Sequence, residues 1–311
     1  MIGAAACFAA DSQSRHEPPP AWAFAVNSPS GRAGVPEPPA DDSPRHVPGS
    51  VAAFTPAFIE DLFSVPDWHP SGHAPMPEVV ARGRAPKEFA CGYCHLPNGL
   101  GRPENAGLAG LPVDYIKRQI AAFSQGLRKS SEPKDLPASF MVEVAENATA
   151  QEIEAAAQYF SALKPQPWIR VVETASVPRT QVSGWMLVAA PNAGMEAIGA
   201  RIIETPENLE RTELRDDRSG FIAYVPPGSI RKGRTLVTSN ACGTCHGAQL
   251  KGIGNVPALA GRSPSYIVRQ LYDIQNGVRA TADTQLMNAV VRGLGVPDMV
   301  AIAAYTVSLA P

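Results

Sequence analysis

Cysteine is scarce in this sequence, and long apolar runs are absent from it. The chain has only five cysteines in 311 residues, and four of them fall in two short motifs. If both motifs use their thiols, no pair is left for a structural disulfide. No stretch approaches the ~20 apolar residues that a membrane-spanning helix requires. A hydrophobic content of 44% and a charged content of 18% are typical of a globular protein.

Positive charge is missing from the start of the chain. Residues 1–10 form a short apolar run with no Lys or Arg ahead of it, so the charged start of an export signal is lacking. Ala23-Phe24-Ala25 resembles a cleavage site, and Cys7 is a candidate lipid-anchor cysteine, although a truncated or misplaced start explains the pattern equally well. The abundance of Pro, Ser, Ala and Gly over residues 11–50 predicts a disordered or extended lead-in.

Two copies of Cys-x-x-Cys-His dominate the rest of the sequence, at residues 91–95 and 242–246. At the start of a helix this pentapeptide places two thiols one turn apart, where they can add to the vinyl groups of a haem, and the His can ligate the iron. A zinc interpretation needs two Cys2His sites that each find a fourth ligand. A redox dithiol of the thioredoxin type needs a βαβ context, which neither motif has. The pattern favours two covalently bound haem c groups.

The motifs belong to a longer internal repeat. Tyr115 and Tyr266 each open a Tyr-Ile-x-Arg-Gln segment, at the same offset of 151 residues (266 − 115) as the motifs (242 − 91). Leu-Ala-Gly and Gly-x-Arg segments keep that offset. The two halves are therefore expected to share one fold. The Leu-Ala-Gly segments are residues 108–110 and 259–261, and the Gly-x-Arg segments are residues 126–128 and 277–279.

Beyond residue 128 the offset falls to 146 (287 − 141), because the second copy has a shorter loop. Met141 then pairs with Met287, and Tyr159 pairs with Tyr305. Apolar residues at helical spacing predict a closing amphipathic helix in each copy. These helices are expected over residues 152–163 and 298–309.

An opening helix is expected in each copy, around Arg82-Gly83-Arg84 and Lys232-Gly233-Arg234. The small glycine would let the opening and closing helices cross closely, with the repeated tyrosine filling the gap. A further short helix is predicted within residues 54–63, with Thr55 as its N-cap and Pro56 at its first position.

Each half resembles the class I c-type cytochrome domain, with its opening helix, Cys-x-x-Cys-His, Leu-Ala-Gly loop, Tyr-x-x-x-Gln helix, Met loop and closing helix. The pairing is most similar to the two-domain soluble bacterial cytochromes that relay electrons. The predicted fold is mainly α: two tandem class I cytochrome c helical domains joined by a β-rich spacer, with a Pro-rich N-terminal lead-in. The expected segments are 1–48 (degenerate export signal and lead-in), 49–164 (first domain with N-terminal extension), 165–229 (spacer) and 230–311 (second domain).

The resemblance also implies the residues that hold each haem. A proline carbonyl often accepts a hydrogen bond from the proximal His in this family; Pro257 fits in the second half, and its counterpart by offset is Ala106. The implied residues are Cys91, Cys94, Cys242 and Cys245 for the thioether bonds, His95 and His246 as proximal ligands, and Met141 and Met287 as sixth ligands.

The sixth ligands have competitors. No His follows His246, and Met299 falls inside the predicted closing helix, so Met287 is favoured for the second haem. For the first haem Met141 competes with Met76, His69 and His73. The two histidines are otherwise expected to be ordinary surface-loop residues.

The spacer has β-branched and aromatic segments between turn residues, which predict strands. Its expected role is to fix the distance between the haems, and a docking surface that uses Trp185 and Tyr224 is the alternative. The predicted strands cover residues 169–174, 184–188, 198–204 and 221–225.

A haem with His and Met ligands has no open position for a substrate, and the soft thioether favours the ferrous state. The expected function is outer-sphere transfer of single electrons between redox protein partners such as a dehydrogenase, an oxidase or another cytochrome. The alternatives are a dihaem enzyme of the peroxidase or thiosulfate dehydrogenase type, with an open or His-ligated first haem, and a cytochrome subunit of a dehydrogenase complex. The expected location is the bacterial periplasm, free or membrane-associated. We expect no nucleic-acid partner and no transmembrane segment.

Overall fold

The computed structural model describes residues 18–27 and 41–311. Cys7 and the predicted export signal lie outside the described residues. Residues 18–27 of the predicted lead-in differ from a disordered segment, because Phe24 is buried and its ring lies 5.8 Å from that of Tyr272. Ala23, part of the candidate cleavage site, is buried as well, and its carbonyl accepts a hydrogen bond from Arg269.

Helices make up most of the second half, and they are the main regular elements of the first. In the described residues they are α1 Pro56–Glu60, α2 Glu78–Ala81, α3 Cys91–His95, α4 Val113–Ser124, α5 Leu136–Asn147, α6 Ala150–Ala162, α7 Leu209–Glu213, α8 Ser229–Ser239, α9 Gly243–His246, α10 Pro264–Gln275, α11 Ala282–Val291 and α12 Val296–Ser308.

The strands all lie between the two halves. They are β1 Ile169–Glu173, β2 Ser176–Pro178, β3 Thr180–Ser183, β4 Met186–Ala189, β5 Met195–Ala197, β6 Ile203–Pro206 and β7 Phe221–Val225.

The second half is built on the crossing of α8 and α12. A Cβ atom at Gly233 would overlap the carbonyl oxygen of Ala301 and lie 2.7 Å from the Cβ of Tyr305. Only glycine permits this approach of the two backbones. The predicted close crossing beside Tyr305 is confirmed here. The closing helix α12 and helix α10 supply most of the buried residues of this core.

The first half departs from the repeat at its opening. The predicted helix around Gly83 is wrong, since α2 ends at Ala81 and the chain turns back instead, with the Arg84 N–H donating to Glu88 O at 2.7 Å. Pro86 stands inside this turn, and a proline there would interrupt a continued helix because it lacks an N–H. Upstream, helix α1 begins as predicted, with the Thr55 hydroxyl accepting from the Phe58 N–H at 3.3 Å.

A three-stranded sheet of order β1-β7-β6 joins the ends of the spacer. Strand β1 pairs in parallel with β7, and β6 pairs antiparallel with it. The predicted strands at 169–174 and 221–225 form β1 and β7. Only the end of the predicted segment 198–204 forms a strand, because Gly199 lies in a turn at φ 59°. Strand β4 starts at Met186 rather than residue 184, since Gly184 and Trp185 both have positive φ and form a two-residue hairpin turn.

No single helix among the described residues is long and apolar enough to cross a bilayer; α11 and α12 meet the length and hydropathy test only as a pair bent by 114°.

Candidate haem sites

The first Cys-x-x-Cys-His motif forms the short helix α3. Cys91 and Cys94 are one turn apart on this helix, and both side chains border the same cavity as His95. The His95 ring is buried and its Nδ1–H donates to the carbonyl oxygen of Ala106 at 2.8 Å. This bond directs Nε2, the other ring nitrogen, toward a metal.

The second motif repeats this arrangement. The buried His246 ring donates from Nδ1 to the carbonyl oxygen of Pro257, also at 2.8 Å. The family's proline is therefore dispensable at the first site, because the backbone carbonyl of Ala106 makes the same bond. Any residue type can offer that carbonyl, which is why the sequence comparison of Ala106 with Pro257 did not reveal the equivalence.

Burial sets the protonation of these side chains. It lowers the pKa of both His95 and His246, so each imidazole is held neutral, the form that binds a metal. Burial, with a smaller contribution from Cys94, raises the pKa of the Cys91 thiol to about 12.

A cavity of about 260 Å³ lies beside the first motif. The cysteines and His95 form one wall, and helix α5 with Met141 borders it as well. Most of the other lining side chains are apolar, which suits a porphyrin face. They include Leu108, Leu111, Ile116, Ile120, Phe123, Phe140, Val144 and Phe160.

Both candidate sixth ligands lie in helices rather than in the expected loop. Met141 lies in α5 and Met287 in α11. Pro137 falls at the first turn of α5, where proline favours helix initiation, so the segment becomes helical before the Met is reached. Met287 and Cys242 both pack against the core of the second half.

The competing histidines do not border the cavity. His69 is buried, and its Nε2 lies 3.1 Å from Asp216 Oδ1. His73 Nε2 lies 3.2 Å from Asp67 Oδ1, and this hydrogen bond raises the pKa of the imidazole. The expectation of an ordinary surface loop is wrong for His69, because its partner Asp216 comes from the distant spacer. Met76 does not border the cavity either, and it packs against the apolar clusters that form the cavity wall.

Two arginines complete the first site. Arg215, from the spacer, borders the cavity with its guanidinium 3.4 Å from the centre of the Tyr93 ring, and it donates to Tyr93 O at 2.9 Å. Arg102 also borders the cavity and is buried. Positive groups beside an apolar slot fit the propionates of a haem. Thiols one turn apart, a neutral imidazole, apolar walls and two arginines together fit a covalently attached haem.

A symmetric hydrogen-bond network joins the two halves at one wall of this cavity. Arg128 donates to Gln119 at 2.9 Å and across the boundary to Tyr266 at 2.7 Å. Arg279 donates to Gln270 at 2.9 Å and across the boundary to Tyr115 at 2.9 Å. Each member has its equivalent 151 residues away, so the repeated Tyr-x-x-x-Gln and Gly-x-Arg segments form the contact between the copies (279 − 128, 270 − 119).

Residues 230–310 match the family model described as cytochrome c. The chain carries a cytochrome c domain. Such domains hold haem c covalently, so the protein binds haem iron and transfers electrons. The matched range contains the second motif, Met287 and the crossing of α8 with α12.

Relatives of the cytochrome c domain cover much more of the chain. A thiosulfate dehydrogenase electron acceptor of Thiomonas intermedia is 29% identical over 209 residues, 66% of this chain and 71% of the relative. Cytochrome c4 of Azotobacter vinelandii is 24% identical over 240 residues, 75% and 89% of the two chains. Among solved structures, a thiosulfate dehydrogenase from Marichromatium purpuratum is 27% identical at a TM-score of 0.46, covering 71% of this chain and only 36% of that chain.

Sequence reasoning missed the polar residues that surround the first haem site. Arg215 and Trp185 come from the spacer and reach the cavity from backbone positions with positive φ, of 58° and 60°. No local pattern predicts that either side chain reaches the cavity, and the sequence suggests Trp185 only as a residue of a docking surface. The interdomain arginines were visible as part of the repeat, and their invariant offset was the signal that could have identified them.

Proposed function

We propose that the chain is a dihaem c-type cytochrome that passes single electrons between periplasmic or membrane redox partners. The observation that carries this proposal is the duplicated proximal geometry, in which His95 and His246 each donate to a backbone carbonyl at 2.8 Å. A chance Cys-x-x-Cys-His would not reproduce this second contact. The proposed haem-bearing domains are residues 49–164 and 230–311.

The chain's own residues would hold and insulate each haem. Cys91, Cys94, Cys242 and Cys245 would form the thioether bonds. Met141 and Met287 would complete the His ligation with a thioether sulfur. A haem bound in this way supplies a reversible one-electron Fe(III)/Fe(II) couple.

The surroundings favour electron transfer over substrate chemistry. The carbonyls of Ala106 and Pro257 orient the proximal rings, and the apolar lining of the first cavity would exclude water from a haem bound there. Six ligands leave no position for a substrate, so the protein contributes orientation, burial and charge.

The donor we propose is a periplasmic dehydrogenase. One relative is named a thiosulfate dehydrogenase electron acceptor, and it aligns with two thirds of this chain. The network of Arg128 and Arg279 supports transfer between haems, because it fixes one copy against the other at the wall of the first cavity.

The test is an optical and iron analysis of the purified holoprotein. We expect two haems per chain, a ferric band at about 695 nm that marks Met ligation, and no spectral change when carbon monoxide meets the reduced protein. One haem per chain would overturn the dihaem proposal. Carbon monoxide binding by the wild type would instead indicate an open position and favour a dihaem enzyme.

Matched variants assign the sixth ligand of the first haem. Met141→Ala should open this haem to carbon monoxide and halve the 695 nm band. Met76→Ala removes the competing methionine that does not border the cavity, and it should leave both signals unchanged. The reverse pattern would refute the assignment of Met141.

A further inference from the structure

Three potential metal ligands meet behind the first domain, outside the haem cavity. They are His69 of the N-terminal extension and the consecutive residues Asp216 and Asp217 of the spacer. All three are buried, with exposures of 3%, 2% and 8%, and their donor atoms lie within 4.8 Å of one another.

One carboxylate oxygen of the second aspartate has no hydrogen-bond donor among the described residues. Oδ1 of Asp217 is buried without a partner, and it lies 3.9 Å from Nε2 of His69, beyond hydrogen-bond distance. A buried carboxylate oxygen normally has a donor or a cation, because its desolvation is otherwise uncompensated. This oxygen therefore points to a missing positive group.

The nearest arginine side chain is engaged with the other aspartate. Asp216 uses Oδ2 to accept from Arg211 Nε at 2.7 Å, and its Oδ1 accepts from the Arg218 N–H at 2.9 Å. Arg211 thus balances one of the two carboxylates. Asp217 has no such partner at Oδ1, and burial raises the pKa of this carboxyl to about 6.

We propose that His69, Asp216 and Asp217 bind one divalent cation of the zinc class. One imidazole nitrogen and two carboxylate oxygens form a donor set that zinc accepts. The nitrogen-to-oxygen separations of 3.1 Å and 3.9 Å are those of neighbouring ligands around an ion about 2.0–2.2 Å from each donor. Water would complete the coordination.

The cation would lock the N-terminal extension to the spacer. The adjacent Trp68 already bridges these segments, because its indole N–H donates to Leu214 O at 2.7 Å. A bound ion would join the same two segments through His69 and the two aspartates. The role is structural, and it is separate from the haem irons.

The direct test is zinc binding by the purified holoprotein, stripped with a chelator that leaves covalent haem in place. Titration with zinc chloride against a fluorescent zinc indicator should give one tight site per chain. Elemental analysis after dialysis should give one zinc per chain alongside the haem iron. Zinc should also raise the unfolding temperature. Failure of all three readouts would overturn the proposal.

Variants separate a zinc site from a merely structural cluster. Asp217→Asn keeps the size of the side chain and removes a charge without a donor, so the metal-free protein should be no less stable while its zinc affinity falls at least tenfold. His69→Gln should weaken zinc binding similarly. His46→Ala, which removes an exposed histidine elsewhere, should bind zinc as the wild type does. Unchanged zinc affinity in Asp217→Asn would refute the site, whether or not the two-haem proposal holds.

Discussion

The two proposed proximal histidines show how one backbone oxygen can orient an imidazole ring. His95 and His246 are held by the carbonyls of residues 106 and 257, eleven residues after each ring. The motif, the repeat and therefore the thioether and proximal positions could be predicted from sequence. The offset pairs Ala106 with Pro257, but the sequence could not predict that both carbonyls accept the same hydrogen bond, because side-chain identity does not determine where a carbonyl points.

The sixth ligand of the second haem gives a prediction at the residue scale. Met287→His should lower the reduction potential of that haem by on the order of 100 mV or more, since imidazole favours ferric iron more than a thioether does. A spectroelectrochemical titration should show one potential moving and the other staying in place, with half of the 695 nm band lost.

Met299→Leu is the control for this change. Met299 is fully buried inside α12, and exchange of Met for Leu conserves volume. The potentials and the band should match those of the wild type. If Met299→Leu removes the band and Met287→His does not, the assignment of Met287 is wrong.

At the scale of helices, the sequence predicted those elements whose start depends on neighbouring residues in the chain. Helices α6 and α12 begin within two residues of their predicted starts, 152 and 298, because apolar periodicity and helix-start residues agree there. The expected helix around Gly83 failed because the turn before Glu88 overrides the repeat. The parallel pairing of β1 with β7 joins segments some fifty residues apart, and no local pattern encodes such a pairing.

The α8–α12 crossing gives a prediction at this scale. Gly233→Ala should reduce the free energy of unfolding by about 3 kcal/mol, because the new methyl group overlaps the Ala301 carbonyl and the two helices must separate. Urea unfolding of the holoprotein followed by circular dichroism measures the loss. Gly293→Ala adds the same methyl group where no atom lies within 4 Å, and it should change stability by less than about 1 kcal/mol. Equal effects in the two variants would contradict the close crossing.

The start of α6 should make stability depend on pH. The Thr149 N–H, aided by the Thr149 hydroxyl and by Arg84, lowers the pKa of Glu152 to about 2. A lowered carboxyl pKa stabilises the fold above the unfolded value of 4.5, and the contribution disappears as the pH falls toward 2. The wild type should be more stable than Glu152→Gln by about 2 kcal/mol at pH 7, after a discount for solvent screening at this partly exposed site. This difference should narrow below pH 4.5 and vanish near pH 2.

Urea unfolding at a series of pH values measures this gap. Glu146→Gln, an exposed position on the neighbouring helix α5, should differ from wild type by less than about 0.5 kcal/mol throughout. A gap for Glu152→Gln that stays constant down to pH 3 would show that the capping interaction does not depend on the carboxylate charge.

For the whole molecule, the contact between the two copies combines buried and exposed polar links. Arg279 is buried and makes three hydrogen bonds of 2.9 Å, to Tyr115, Gln119 and Gln270. Arg118 also crosses the boundary, to Asp283 at 2.8 Å, but both side chains are more than 40% exposed. The buried contacts of Arg279 are expected to be much stronger than the Arg118–Asp283 ion pair, because water screens only the exposed pair.

Substitution of each arginine by Met therefore tests what holds the haem-bearing halves together. Arg279→Met should lower stability by about 3 kcal/mol, because it removes three buried hydrogen bonds to a charged group. The Tyr115 hydroxyl loses its partner, and the oxygens of Gln119 and Gln270 keep only their bonds from Arg128. Calorimetry should then resolve two unfolding transitions where the wild type shows one. Arg118→Met should shift the transition by no more than about 1 kcal/mol and keep it single. If Arg118→Met separates the transitions and Arg279→Met does not, the exposed ion pair rather than the buried network couples the halves.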